Sequence, residues 1–521
     1  MKCIILKFLL PLLMALLPAL MLADDLITVS GRVVDEMGEP LIGCTVSLKG
    51  SSVGTVTDLD GCFKMQAPKG KTLVFSYVGY NTKEVVVMPT MKITLETSSH
   101  VLNEVVAIGY GTMKRSDITG SVVSVRAEDM EQLSAATVDQ MLQGRASGLQ
   151  LVNNSGAAGS STSVQIRGVN SLSSSNEPVY VIDGSIIRSE SGQNVYSNPL
   201  EGLNPNDIES IEILKDASAT AIYGAQAANG VIIVNMKKGK EGAPRITFKA
   251  TAGLEQLPKK VDVMNLREMA AYATELNNLR DRETTYLSNP EILGEGTDWQ
   301  DALFRTATKQ EYNLSVRGGS KSVNYNISGG YFTQDGIVIN NDFNRFTMRS
   351  SVDVKAYKWL DLGMIFNMSQ TNRNTGMATW GVISNALSML PYIPVKNPDG
   401  TWGKAGYSGE VNSYSANPVA IASITTRKNK SSSLRLNFNF TVKPWKWLKW
   451  RNEMVYDANT DNGRYLLPAY DLGGTRQNYA VHEATKTYNQ YMSLKSVATG
   501  DWKMSSHKVS LMAGLEINER Y

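Results

Sequence analysis

From about residue 242 onward, hydrophobic and polar residues alternate over stretches of about ten residues, the period-two signature of strands with one apolar and one polar face. In residues 312–317, Tyr312, Leu314 and Val316 fall on one face and Asn313, Ser315 and Arg317 on the other. In residues 434–443, Leu434, Leu436, Phe438, Phe440 and Val442 oppose Arg435, Asn437, Asn439, Thr441 and Lys443. Strands of soluble domains average about five or six residues, so the length favours transmembrane barrel strands over a sandwich. Trp445, Trp447 and Trp450 suit an aromatic girdle at a membrane interface. Short turns fall near residues 318–322, 356–359, 443–446 and 504–508, and long connections span 255–310, 370–432 and 457–489. That asymmetry is expected of short periplasmic turns and long external loops. Within the first long connection, residues 263–279 carry a helical pattern, with Asn265 a cap before Leu266, Met269, Ala273 and Leu276. The pattern yields about nine barrel strands, the last over residues 509–519. An odd number closes no ordinary bacterial barrel, so residues 243–521 are expected to form an incomplete, truncated antiparallel β-barrel.

The chain starts differently. An apolar run over residues 4–22, with Lys2 and Lys7 in or beside it and small Ala23 at its end, reads as a cleaved signal peptide over residues 1–23. A retained anchor is the alternative, weakened by Pro11 and Pro18 and by the lack of a basic stop-transfer flank. Cys3 lies too early to accept a lipid. Short alternating runs over residues 26–97, split by turns, predict a small antiparallel sandwich. Cys44 alternates with Val46 and Leu48 as a core residue, whereas Cys62 precedes core Phe63 and faces the opposite way, so the two are expected to stay unpaired although export permits a disulfide. Asp58-Leu-Asp-Gly resembles the opening of a calcium loop but lacks the later ligands, and reads as a turn.

Between these regions, residues 206–238 give a strand (208–214), a small-residue helical turn (217–223) and a second strand (230–236). Pattern alone fits any α/β crossover. The particular residues narrow it: Asp139-Gln-Met-Leu-Gln-Gly-Arg-Ala-Ser-Gly, Val164-Gln-Ile-Arg-Gly-Val-Asn, Asn176-Glu-Pro-Val-Tyr-Val-Ile-Asp-Gly, and Leu214-Lys-Asp-Ala-Ser-Ala-Thr-Ala-Ile-Tyr-Gly leading to Asn229-Gly-Val. These resemble successive plug motifs of SusC/RagA-type, TonB-dependent outer-membrane transporters, over residues 113–240. Gly31-Arg-Val-Val-Asp with Gly54-Thr-Val-Thr-Asp resembles the carboxypeptidase-regulatory-like, transthyretin-like sandwich that precedes many such plugs. The resemblance assigns structural roles in the plug to Gly144, Arg145, Arg167, Gly168, Asp183, Gly184, Lys215, Asp216, Tyr223, Gly224, Asn229 and Gly230. Arg167-Gly168 suits a buried ion pair or a turn, and Asp183-Gly184 a tight turn.

At the junction, residues 102–112 include Glu104, Val105, Val106, Ala107 and Ile108, which resemble the TonB box. An extended β-branched run with a free edge can add as a strand to a partner's sheet. The alternative is that residues 105–108 form the first plug strand.

A formal charge of +3 gives no electrostatic case for nucleic acid. The three histidines, His100, His482 and His507, are scattered, and no zinc pair, triad, nucleophile elbow, Walker loop or dinucleotide fingerprint is present, so neither enzyme, metal nor cofactor is expected. The resemblance implies active nutrient import in the outer membrane: TonB, with its ExbB/ExbD energising complex, pulls on the plug. It also implies outer-membrane lipid around the barrel, a SusD-like surface lipoprotein as partner, and an oligosaccharide or oligopeptide as cargo. A receptor or signal transducer, and a non-functional fragment, are the rival readings.

Overall fold

The structure, a computed structural model, describes residues 26–36, 38–49, 54–58, 60–77, 80, 82–96, 105–108, 111–114, 122–127, 137–153, 155–160, 162–171, 176–187, 200–216, 220–281, 289–376, 381–404, 407–408, 411–412, 415–472, 476–504 and 507–521. The leader with Cys3, and Glu104, lie outside them. The chain divides into two compact units, Met1–Ile118 and Thr119–Tyr521.

In the first unit, β1 (Leu26–Val34), β2 (Thr45–Leu48), β3 (Gly54–Val56), β4 (Cys62–Pro68), β5 (Thr72–Ser76), β6 (Lys83–Val86) and β7 (Thr90–Thr94) form two sheets, ordered β4-β1-β7 and β3-β2-β5-β6. Their inward residues, among them Val29, Val33, Val46, Phe63, Leu73, Phe75 and Ile93, make one apolar core. Phe63 and Phe75 meet edge to face at 5.4 Å. The sandwich is not wholly antiparallel as expected, because β7 runs parallel to β1. Alternation records which side chains point inward and is blind to strand direction. Cys44 is buried, Cys62 is exposed, and both are free. Burial raises the Cys44 thiol above its usual range, against a hydrogen bond to Ser76 that lowers it. Asp58 Oδ1 accepts from the amides of Asp60 (3.0 Å) and Cys62 (2.8 Å), which closes the expected turn. Beyond the sandwich, β8 (Val105–Ile108) and β9 (Gly111–Lys114) form a separate two-stranded hairpin. Residues 105–108 are thus not a strand of the plug sheet.

The second unit begins with the plug: β10 (Val122–Arg126), α1 (Val138–Leu142), β11 (Leu149–Asn153), β12 (Thr162–Ile166), β13 (Val179–Ile182), β14 (Ser185–Ile187), β15 (Ile208–Leu214) and β16 (Val231–Met236). Five strands share one sheet, ordered β10-β15-β16-β13-β14, and β11 and β12 form a hairpin. Tyr180, Ile182, Ile211, Ile213, Ile232 and Val234 bury one sheet face beneath Met141, Leu142 and Leu200. The small-residue stretch forms two 3₁₀ turns, Ala221–Tyr223 and Ala225–Ala227, rather than one helical turn over 217–223, and residues 217–219 lie outside the described residues. Gly224, with a φ of 70°, separates the two turns, a conformation that interrupts any helix built from L-residues.

The wall follows as β17 (Gly242–Glu255), β18 (Ala307–Gly319), β19 (Val323–Asp335), β20 (Asn341–Tyr357), β21 (Leu360–Thr375), β24 (Thr426–Trp445), β25 (Leu448–Leu467), β28 (Val481–Met504) and β29 (His507–Arg520), nine antiparallel strands in chain order. The intervening β22 (Tyr407–Ser408), β23 (Val411–Asn412), β26 (Tyr470–Asp471) and β27 (Arg476–Gln477) are two small hairpins in the connections. Strands of up to 24 residues exceed the expected ten. The third long connection accordingly shrinks from 457–489 to 468–480. Residues 459–464, Asn-Thr-Asp-Asn-Gly-Arg, are polar on both faces, so β25 continues beyond the apolar band without the alternation that would reveal it.

Above the wall, the connections carry α2 (Leu266–Leu279), α3 (Trp299–Leu303), α4 (Val382–Ser388) and α5 (Pro418–Ile424). Asn265 caps α2 as expected: its Oδ1 accepts from the Glu268 amide at 2.9 Å, and Glu268 Oε2 accepts from the Asn265 amide at 3.0 Å. Trp299, Leu303, Val382, Met389, Ile393, Ala420 and Ile421 build an apolar core there. Aromatic residues are committed to this layer, with Trp299 Nε1 donating to the Leu390 carbonyl and Lys396 lying over Trp402. No helix among the described residues is long and apolar enough to cross a membrane.

Candidate functional site: the seam between plug and wall

The wall is inside out relative to a soluble sheet. Its exposed face carries Phe248 (66% exposed), Leu314 (50%), Phe438 (48%), Met454 and Leu515. Its buried face carries Glu311, Asn313, Asn326, Ser328, Arg345, Arg349, Ser351 and Asn437. Water drives apolar surface inward, so an apolar exterior over a polar interior is stable only where lipid replaces water outside. On the short-turn side, Trp447 stacks between Trp445 (5.5 Å) and Trp502 (5.1 Å), while Tyr357 stacks on Trp359 at 5.5 Å. This gives the aromatic girdle predicted from the Trp cluster.

The buried polar face grips the plug. Asp183 and Gly184, both at positive φ (50° and 85°), make the two-residue turn between β13 and β14, the geometry an Asp-Gly hairpin favours. That turn presents the Asp183 carboxylate 2.9 Å from the Arg349 guanidinium, with side chains 7% and 3% exposed. Arg349 Nη1 also donates to Asn367 Oδ1 at 2.7 Å. Two further ion pairs cross the seam, Glu201 to Arg373 at 2.6 Å and Glu209 to Arg317 at 3.2 Å. In each of the three the plug supplies the acid and the wall the arginine.

Hydrogen bonds and ring contacts fill the rest. Arg345 donates to the Glu201 carbonyl at 3.2 Å, Asn341 Oδ1 accepts from the Ala158 amide at 2.9 Å, and Asn326 donates to the Lys237 carbonyl at 3.2 Å. Asn206 bonds Glu311 and accepts from Lys249 at 3.0 Å. Phe332, Phe343 and Ala158 form a small apolar patch, with Arg345 and Arg373 over the rings.

Burial sets the proton affinities at the seam. It pushes the Glu201 carboxyl above the usual range against the opposing charge of Arg373, and Asp207 likewise against a hydrogen bond from Ser328 and the charge of Arg349. Burial acts upward on Glu209 too, but Lys240 and Arg317 outweigh it and hold that carboxyl below its ordinary value.

The residues assigned by motif lie apart, at turns and supports of the plug. Arg167 (φ 59°) and Gly168 (φ 89°) form a turn, and Arg167 pairs with Asp216. That pair is open to solvent, at 54% and 30% exposure, so it is not the buried ion pair that was one of the two expectations. Lys215 donates to the Ser147 carbonyl, and Asn229 to the Glu177 carbonyl at 3.4 Å. Tyr223 is buried, while Gly144 (φ 73°) and exposed Arg145 make the turn after α1. Gly230 (φ 92°) sits where a Cβ would lie 2.7 Å from Ile166 Cδ1 and 3.1 Å from the Leu214 carbonyl oxygen. Among them Asp183 reaches an ion-pair partner on the wall, Arg349. Glu201, Asp207, Arg317, Arg345, Arg349 and Arg373 were not singled out from sequence. Arginines on inward strand faces were the available signal, but their plug partners lie more than a hundred residues away.

A mixed five-stranded plug held against the polar face of a lipid-facing antiparallel wall defines the TonB-dependent receptor class. The family model for the TonB-dependent Receptor Plug Domain matches residues 114–231, and that for a CarboxypepD_reg-like domain matches residues 29–107. The chain is 37% identical to the TonB-dependent receptor SusC of Bacteroides thetaiotaomicron over 78% of this chain and 41% of that protein. It is 36% identical to a TonB-dependent receptor of Formosa agariphila over 84% of this chain and 43% of the relative. A solved structure of the RagAB peptide importer in an open-open state superposes with a TM-score of 0.67 at 25% identity, covering 80% of this chain and 49% of that one. The chain belongs to the SusC/RagA family of TonB-dependent receptors, whose members are receptors and transporters rather than enzymes. It spans less than half the length of these relatives.

Proposed function

We propose that this chain is the plug-bearing part of an outer-membrane importer in which energy delivered by TonB and its ExbB/ExbD complex displaces the plug and admits an oligosaccharide or oligopeptide. The observation that carries this reading is the buried polar seam. Its contacts are hydrogen bonds and ion pairs rather than a continuous apolar core, and such groups can exchange protein partners for water when the plug moves. Family membership supports a SusD-like lipoprotein as the external partner, and the RagAB relative is described as a peptide importer. The first unit and the plug then face the periplasm.

Glu104 and residues 105–108 are the proposed TonB contact. Val105–Ile108 is paired on one side, with Gly111–Lys114, in a sheet of two strands. Its second edge has no strand partner among the described residues, which supports strand addition by a partner. Replacing Val105 or Val106 by Pro in the full-length protein is expected to abolish uptake and leave surface binding of cargo intact. Unchanged uptake would remove the TonB-box assignment.

A further inference from the structure

The wall arginines under the plug follow a line. In the strand register, Arg373 on β21 lies level with Phe343 of β20. Arg345 and Arg349 occupy the same inward face of β20 further along. Arg435 on β24 joins the Arg349 level through Asn367, and Arg317 on β18 reaches the Ser351 level through Asn326. From the Phe343 level to the Ser351 level is eight residues of one strand, about 27 Å along the strand at ~3.4 Å per residue, which a barrel strand's tilt of about 40° reduces to roughly 20 Å of an apolar band about 25 Å tall. The line runs from the end bearing the long connections to the end bearing the short turns.

In the seated plug these cations are matched. Arg373 faces Glu201, Arg349 faces Asp183 and Arg317 faces Glu209, whereas Arg435 is matched within the wall by Asp457 at 2.6 Å. The wall is not uniformly basic: Glu311 shares the level of Arg345 through Phe332, and Glu453 and Asp461 are buried on the inward face of β25. Displacing the plug removes the acids from three rungs and leaves three guanidiniums facing the vacated path. Guanidinium binds carboxylate through two parallel hydrogen bonds, and rings of Arg or Lys favour anions in pores.

On the importer reading given above, we propose that the vacated path is an arginine ladder, built to pass a carboxylate-bearing oligomer, and that the plug's acids occupy the ladder in place of cargo while the path is closed. Cargo carboxylates would replace Glu201, Asp183 and Glu209 in turn, so no rung is left uncompensated for the length of the passage.

The test is charge selectivity. The full-length protein is placed in planar bilayers, its plug is loosened with urea, and the reversal potential is read across a KCl gradient. The expected result is chloride passing severalfold more readily than potassium. Two double variants, Glu201→Gln with Arg373→Gln and Asp183→Asn with Arg349→Gln, remove both partners so that the closed seam keeps no unpaired charge, and each should reduce that preference. Trigalacturonate or triglutamate should block the open path at concentrations at least tenfold below those needed by a neutral trisaccharide. Block by only one of the two acids assigns the carboxylate to a sugar or to a peptide. Cation preference, selectivity unmoved by both double variants, or equal block by the neutral sugar overturns the ladder and leaves the importer reading standing. Absence of any urea-dependent conductance overturns both.

Discussion

At the scale of single residues, the plug is held by pairs whose halves cannot be removed independently. Arg349 and Asp183 are almost fully buried, so Arg349→Gln strands a carboxylate in the seam, a loss of about 3–5 kcal/mol for a buried pair. Urea unfolding should show that loss for either single variant and a smaller one for the double. The proton has a role as well. Glu201 and Asp207 have folded proton affinities above the unfolded ones, so the folded state binds more protons between an ordinary carboxyl value of about 4 and the raised values. Seating is therefore expected to weaken as pH rises through that window. Glu209, held low, acts oppositely: its contribution is present above its unfolded value and lost as pH falls through its lowered one. Asp207→Asn should flatten the rising-pH loss in a pH series of urea midpoints, and an unchanged slope would exclude Asp207 as a source. Gly230 has both a positive φ and close neighbours, so Gly230→Ala should cost at least about 1–2 kcal/mol for the left-handed backbone alone.

At the scale of elements, period-two alternation identified the wall strands because each separates lipid from a polar interior, and residues 312–317 and 434–443 lie in β18 and β24 with the two faces assigned as expected. The same rule hid the strand ends beyond the membrane, where both faces are wet, and it could not tell that β7 runs parallel to β1. The Asp183-Gly184 turn was legible because its backbone demands those residue types. That Asp183 meets Arg349 was not, since the pairing depends on how the plug sits against β20. One prediction belongs here: Phe438→Arg on the exposed face should cost about 2–4 kcal/mol of stability in a bilayer if that position lies near the midplane. Refolding into lipid vesicles at graded urea measures it.

At the scale of the molecule, the account joins an apolar outer face, a polar inner face and a plug whose acids meet the wall's arginines. Each feature constrains the others: the exterior requires lipid, lipid confines polar groups to the interior, and the interior then needs a polar partner to fill it. The central claim is that alternate residues of the wall face lipid and plug. Spin labels placed singly at Leu314, Phe438 and Met454, and at the neighbouring Asn313, Asn437 and Glu453, test it in the full-length protein in bilayers. The account predicts relaxation by oxygen, which concentrates in lipid, at the first three and protection from it at the second three. Relaxation of Leu314, Phe438 and Met454 by a water-soluble nickel complex, with no alternation along the strands, would contradict it.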